Sequence, residues 1–382
     1  MTDAIATQAL RREDFPILAD STYLVSHSMG AASLASRRAL EEYWSQWAAD
    51  GPEAWERWLP AIGEIADGIG AIVGAVPGSV FLGPNVSVLQ AAVATSIDFS
   101  GTRNEVVYEA LQFPSLTYVW REWERYGAVT RVVPSGDGRS IPTERIVEAI
   151  TEKTAIAVLS HAYYVSGAIA DVRTIQRHCR EVGALLCVDA YQTTGIYPYD
   201  VTEWDLDLVT GGSHKWLCGG PGCGWLYVKP SLLERFRPAV TGWMAHARPF
   251  AFEPAPIVPA PNMYRFGNGT PTIPGYAVAK PGHDAIRAVG VPRIREHNVR
   301  LTTRLAEMAL ERGLRVNTPL EPSRRTGWIG IDFDGSERVC RALIARRVFV
   351  DYRPGCGIRV SPHFYTADDE IGAFFEALDA LR

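Results

Sequence analysis

The feature that most constrains this chain is a short stretch, residues 185–228, in which two apolar runs lead into polar residues twenty-six positions apart. The first run, Leu185-Leu186-Cys187-Val188, ends in Asp189. The second, Leu206-Asp207-Leu208-Val209, leads into Gly211-Gly212-Ser213-His214-Lys215-Trp216, and Gly219-Gly220-Pro221-Gly222-Cys223-Gly224 follows at once. Apolar runs of this length, bounded by glycine, read as buried strands. Ligands of an open α/β sheet bind beyond the carboxyl ends of its strands, so Asp189 and Lys215 are both expected there.

The same alternation continues on either side. Runs at 106–108, 129–133, 155–160 and 224–228 read as strands, and amphipathic stretches at 116–126, 143–150 and 172–182 as helices. Strands alternating with helices of that length imply a largely parallel sheet covered on both faces. Residues 32–58 carry Trp and Tyr at helical spacing, and 60–76 form a second amphipathic helix. The segment 249–261 holds five prolines and is expected to be an ordered loop. A long helix over 292–312 opens a second unit, in which 328–333, 340–347, 348–351, 357–360 and 368–381 alternate in an α+β pattern.

Composition narrows the function classes. The 382 residues suffice for two domains. With 38 Lys and Arg against 43 Asp and Glu, the formal net charge is −5, and a nucleic-acid coat is not expected. The cluster Arg293, Arg295 and Arg300 reads as one solvated helix face. The six cysteines form no CxxC pair, which fits reduced thiols in a cytoplasmic protein and no metal site. No stretch approaches the ~20 apolar residues of a membrane span. The first twenty residues do not read as a signal peptide.

Alone, Asp189 or Lys215 reads as an ordinary residue beside a glycine turn. Together and in this order they suit pyridoxal 5'-phosphate (PLP). A lysine that can lose its proton forms a Schiff base with the aldehyde. A carboxylate beside the pyridine nitrogen keeps the ring protonated, making it an electron sink. Glycine and serine before the lysine let the backbone and a hydroxyl approach a phosphate.

Further motifs fall in line with this pair. They are Tyr23-Leu24-Val25-Ser26-His27-Ser28-Met29-Gly30, Gly83-Pro84-Asn85-Val86-Ser87, Phe113-Pro114-Ser115, Ser160-His161 with Gly167-Ala168-Ile169, Asp189-Ala190-Tyr191-Gln192, Gly242-Trp243, residues 265–271 (RFGNGTP) and Gly357-Ile358-Arg359-Val360-Ser361-Pro362. In this order they resemble the class V aminotransferase group of fold-type I PLP enzymes, most closely kynureninase, over nearly the whole chain. The resemblance implies a large PLP-binding domain over 61–290 with a mainly parallel sheet and a small C-terminal α+β domain over 291–382. It also implies an N-terminal segment, 1–60, packed on the small domain and a dimer interface. It implies that Lys215 carries the Schiff base and moves protons, that Asp189 pairs with the pyridine nitrogen and that Gln192 donates to the phenolic oxygen. Val86, Ser87, Ser213 and His214 are implied around the phosphate, with Thr270 reaching it from a partner subunit. Phe113 is expected to stack on the ring, with Ser115 and Ser160 beside the cofactor. Arg359 is expected to grip the α-carboxylate, with Ser28, Asn268 and Trp243 shaping the pocket. The expected enzyme is a homodimer with shared sites. It cleaves an L-amino acid hydrolytically at the β-carbon through a quinonoid formed at Lys215.

Three positions depart from kynureninase: Leu116 stands where Asp usually follows Phe-Pro-Ser, Gln192 where His is common, and His214 where Tyr precedes the lysine. The wider group carries Gln and His at the latter two positions. Transamination and cleavage of a cysteine derivative, as in desulfurases or C–S lyases, therefore stand as the alternative. Cys356 is expected to pack or line the pocket, His161 to line the site or to be structural, and Arg353 to form a structural ion pair with Asp351.

Overall fold

The computed structural model describes residues 11–382. Seven strands form the main sheet: β1 (Val80–Gly83), β2 (Glu105–Glu109), β3 (Val129–Val133), β4 (Thr154–Ser160), β5 (Leu185–Asp189), β6 (Leu208–Gly212) and β7 (Gly224–Val228). Their spatial order is β1-β7-β6-β5-β4-β2-β3. The pairs from β3 to β6 are parallel, and β7 runs antiparallel to both β6 and β1. Every residue of β4 to β7 is buried, as expected for strands with helices on both faces. Successive side chains divide between two cores. Val107, Ala157, Leu186 and Val188 face helices Trp55–Val73 and Val172–Val182, whereas Val106, Ile156, Val158 and Cys187 face helix Val86–Ala94 and Trp120.

Local signals explain where the elements stop. Helix Val172–Val182 starts where Asp171 accepts from the Thr174 N–H at 3.1 Å and ends at Gly183, whose φ of +74° is left-handed. The aromatic N-terminal helix was expected to reach residue 58, but it spans Leu34–Asp50 and stops at Gly51 and Pro52. Pro60 lies inside the following helix, Trp55–Val73. Helix Ile273–Val289, with Pro281 in its interior, was not anticipated.

The second sheet is antiparallel: β8 (Arg315–Val316), β9 (Ile329–Asp332), β10 (Asp351–Arg353) and β11 (Gly357–Val360), ordered β10-β11-β9-β8. Helices Val291–Glu311, Ser336–Ala345 and Asp369–Asp379 close its core through Leu301, Leu305, Leu343, Phe374 and Phe375. The N-terminal region divides. Thr22–Tyr23 pairs with Val348–Phe349 and Leu24 joins the small core, whereas helix Leu34–Asp50 packs along Ile273–Val289 of the large unit. No helix among the described residues is long and apolar enough to cross a membrane.

Candidate active site

The carboxyl ends of β1, β2, β4, β5 and β6 and the amino end of β7 share one edge of the sheet, and a cavity of about 620 Å³ opens there. Register sets its floor: Ser160 of β4 lies opposite Asp189 of β5, which lies opposite Thr210 of β6. Asp189 accepts from the Tyr191 N–H at 3.0 Å. Burial, partly offset by that bond and by Lys215, raises its carboxyl pKa to about 6.

Lys215 follows β6 in the turn that the glycines shape. Gly30 donates its N–H to the His214 carbonyl at 2.8 Å, and a Cβ on Gly30 would lie 2.3 Å from the Lys215 carbonyl oxygen. This close approach accounts for the glycine that ends the Tyr23–Gly30 motif. The Lys215 Nζ lies 4.8 Å from the centre of the Tyr191 ring and 5.7 Å from that of Phe113. Desolvation lowers its pKa to about 8 despite Asp189. His214 lines the same cavity, and burial followed by repulsion from Lys215 lowers its pKa to about 4.

Helix Val86–Ala94 points its N-terminus into the cavity, with Val86, Ser87 and Val88 on the lining. Asn85 caps the Val88 N–H at 3.0 Å. The earlier N–H groups of a helix have no partner within it and favour an anion. The helix start reaches this edge because Gly224 leaves room for it: a Cβ there would sit 3.0 Å from Asn85 Cα.

Of the expected residues, the cavity gathers Ser28, Val86, Ser87, Phe113, Ser115, Ser160, Asp189, Gln192, His214, Lys215 and Arg359. Four expected residues lie elsewhere. The Ser213 hydroxyl is fully buried against His283 Nε2 at 2.8 Å and does not reach the lining. Asn268 and Thr270 border a neighbouring cleft beside Gly83 and Pro84. Trp243 packs against Phe250 and Phe252, with ring centroids 5.6 and 6.3 Å away. None of these last three residues is on the lining of this chain's own cavity, and Thr270 was expected to serve a partner subunit's site.

Arg359, expected to grip the substrate's α-carboxylate, is on the lining. It lies directly opposite Asp351 across β10 and β11. Its Nε donates to Asp351 Oδ1 at 2.7 Å and its Nη2 to Oδ2, while Nη1 donates to the Tyr164 carbonyl at 2.8 Å. Its two parallel donors are therefore already on a carboxylate. His27, buried and with its pKa lowered to about 4, bridges Asp351 (2.9 Å) and Ser361 (2.7 Å). Asp351 is held well below the usual carboxylate range by His27 and Arg359, in spite of its burial.

Sequence reasoning missed His27, Tyr191, Leu116 and Arg353 as lining residues. His27 and Tyr191 stood inside quoted motifs and Leu116 directly after one, and their proximity to Ser28, Asp189 and Phe113 was the available signal. His161 is structural: it packs among Tyr197, Tyr199 and Trp204 and pairs with Thr193 at 3.0 Å. Cys356 is buried with Trp216 and Trp328, off the cavity, and burial pushes its thiol up to about 12.

The cavity fits PLP. It offers a lysine made easier to deprotonate, a buried carboxylate, a helix N-terminus flanked by Ser87, and the Gln192 Oε1, buried without a partner among the described residues.

A family model for aminotransferase class-V matches residues 86–371. The uncharacterized aminotransferase YcbU of Bacillus subtilis (strain 168) is 29% identical over 94% of this chain and 94% of its own length. The kynureninase of Geobacillus thermodenitrificans (strain NG80-2) is 28% identical over 94% of this chain and 88% of its own. Among solved structures, a cysteine desulfurase from Thermococcus onnurineus NA1 superposes with a TM-score of 0.86 at 19% identity, covering 97% of this chain and 96% of the other. That likeness speaks for the fold. The match spans the helix N-terminus at Val86, Asp189, Lys215 and Arg359, and the chain belongs to the class V aminotransferase family of fold-type I, PLP-dependent enzymes.

Proposed function

We propose that this protein hydrolyses an L-amino acid of the kynurenine type at its β-carbon, releasing alanine and an aromatic acid. The observation that carries this reading is the cavity wall beside Lys215. Phe113, Tyr164 and Tyr191 give it an aromatic surface suited to an aryl side chain. Likeness to kynureninases over most of the chain supports it. PLP, when bound, supplies an electron sink for the pair left at the amino acid's carbon. Lys215 Nζ moves protons at Cα, Asp189 holds positive charge at the ring nitrogen, and the start of helix Val86–Ala94 holds the phosphate. In the overall reaction water adds its oxygen to the γ-carbonyl carbon, the Cβ–Cγ bond breaks, and Cβ gains a proton.

Homodimerisation belongs to the same proposal. Trp243, Asn268 and Thr270 lie outside this chain's own cavity, and Phe250 and Phe252 beside Trp243 are exposed. This arrangement suits service to a partner's cavity.

A second reading, transamination or cleavage of a cysteine derivative, is favoured by Leu116, Gln192 and His214, all on the cavity lining. Incubating the PLP-loaded protein with L-kynurenine and 3-hydroxykynurenine separates the two. Equal amounts of alanine and aromatic acid on chromatography support the hydrolase. Formation of neither product, with keto acid or sulfide released from other amino acids, moves the assignment to the second reading.

A further inference from the structure

Gln192 faces the cavity from the turn after β5, and other parts of the chain hold both its side chain and its backbone. Its Nε2 donates to the His27 carbonyl at 3.3 Å, and its Oε1 is buried without a partner among the described residues. A carbonyl only accepts, so His27 decides which end of the amide is turned toward the N-terminal segment. The Gln192 backbone carbonyl accepts from the Thr326 hydroxyl, its one donor among the described residues. Thr326 is fully buried and belongs to the small unit, in the segment 322–327 that leads into β9. Its N–H donates to the Gly167 carbonyl at 2.8 Å, and its carbonyl accepts from Arg295 Nη1 at 3.2 Å. Arg295, in helix Val291–Glu311, also donates to the Arg325 carbonyl at 2.9 Å and to that of Pro322. Gly327 lets the segment close in. A Cβ there would lie 2.5 Å from Ile196 Cγ1 and 2.7 Å from the ring of Trp216, the residue after Lys215. Thr326 is thus braced from behind and reaches forward to one atom of the site.

We propose that Thr326 is a positioning residue of the cofactor site, which fixes the Gln192 amide by holding the Gln192 backbone. The role rests only on PLP occupying this cavity with Gln192 facing it, and it is the same for either reaction. A buried carbonyl that loses its sole donor is costly, and the peptide rotates to find another. In this turn such a rotation swings the Gln192 side chain relative to Asp189, three residues earlier. The phenolic oxygen is the cofactor atom that Gln192 is expected to meet, so the acidity of that oxygen reports the aim of the amide. Valine at position 326 keeps the shape and lacks the donor, whereas serine keeps the donor.

The test follows the visible absorbance of the PLP-loaded protein against pH, with PLP affinity and Tm, in Thr326→Val, Thr326→Ser, Gln192→Ala and the double variant Thr326→Val with Gln192→Ala. Thr326→Val should shift the midpoint of the absorbance titration by roughly half to one pH unit, the size of one net hydrogen bond. PLP affinity should fall by about 3- to 10-fold. Thr326→Ser should restore both, because it returns the donor. In the Gln192→Ala background, Thr326→Val should leave the titration where Gln192→Ala alone puts it, since its effect runs through that side chain. An unshifted midpoint in Thr326→Val overturns the proposal, even where Tm falls, and marks Thr326 as packing alone. A shift of the same size with and without the Gln192 side chain overturns it too, as does a wild-type titration in Gln192→Ala. Should Thr326→Val not fold, Thr326→Ala removes the same donor and is judged by the same titration. Turnover of kynurenine enters none of these outcomes, so the choice of reaction and the role of Thr326 are judged separately.

Discussion

The Lys215 Nζ lies 4.8 Å from the centre of the Tyr191 ring, and Gly212 leaves the space that the ring occupies: a Cβ there would fall 1.9 Å from the Tyr191 hydroxyl oxygen. A ring face attracts a cation, yet desolvation is the larger effect and brings Lys215 down to about 8. Below that pH the free amine grows about tenfold for each step of one in pH. PLP uptake by the apoprotein, followed by visible absorbance, should therefore accelerate at that same slope up to about pH 8 and then level off. A rate that is flat between roughly pH 6 and 9 would contradict the lowered pKa. Lys215→Ala should abolish the absorbance of lysine-bound cofactor without lowering Tm.

Gly212→Ala tests the packing under the site. The added methyl meets the hydroxyl end of Tyr191, a ring largely enclosed between Lys215 and His214. Overpacking of this kind costs about 1–3 kcal/mol. Thermal unfolding should show a lower Tm, and PLP affinity should fall as the ring moves into the cavity. A variant with unchanged Tm and affinity would mean that Tyr191 repacks freely.

The strands were legible where an apolar run meets a glycine or a charge: β3, β5 and β7 lie where periodicity places them. The strand expected at 206–209 instead runs through Gly212, because β7 alone supplies at Gly211 and Gly212 the ladder that the glycines do not signal. Helix Ile273–Val289 was hidden by Pro274 and Pro281, which are tolerated by a helix held in place by the packing of its neighbours. At the site, Asp189 and Lys215 could be read because they follow two strands of one sheet. The pairing of Arg359 with Asp351 could not, since it depends on the cross-strand register of β10 and β11, which spacing along the chain does not encode. The commitment of Ser213 to His283 was hidden for the same reason, as it joins residues seventy positions apart.

Asp189→Asn should separate binding from chemistry. The amide keeps the size and an acceptor for the Tyr191 N–H, but it cannot hold a positive ring nitrogen by charge. PLP should still bind, whereas kcat should fall by about 100-fold or more, the scale of losing one preorganised electrostatic contact. Absorbance titration with PLP and steady-state kinetics on the same sample check this. Equal losses in binding and kcat would place Asp189 in the cofactor's grip alone.

Glu109 closes β2, which β4 separates from Asp189 of β5. Its Oε1 accepts the Ser160 N–H at 2.8 Å, and its Oε2 is buried without a partner among the described residues. Burial raises its pKa to about 7, against bonds from Ser160 that lower it and with a small further rise from Asp189. A carboxyl whose folded pKa lies above its unfolded value binds more protons when folded. Its contribution to stability is complete below the unfolded pKa, near 4.5, and is lost as pH rises through about 7. A difference of one between folded and unfolded pKa corresponds to about 1.4 kcal/mol, so the loss should amount to a few kcal/mol. Glu109→Gln keeps the acceptor for Ser160 and removes the titration. The variant should therefore gain stability over the wild type at about pH 8 but not at about pH 4, as read from denaturant midpoints at the two pH values. A difference independent of pH would show that Glu109 titrates alike in the folded and unfolded chain, so that burial does not shift it.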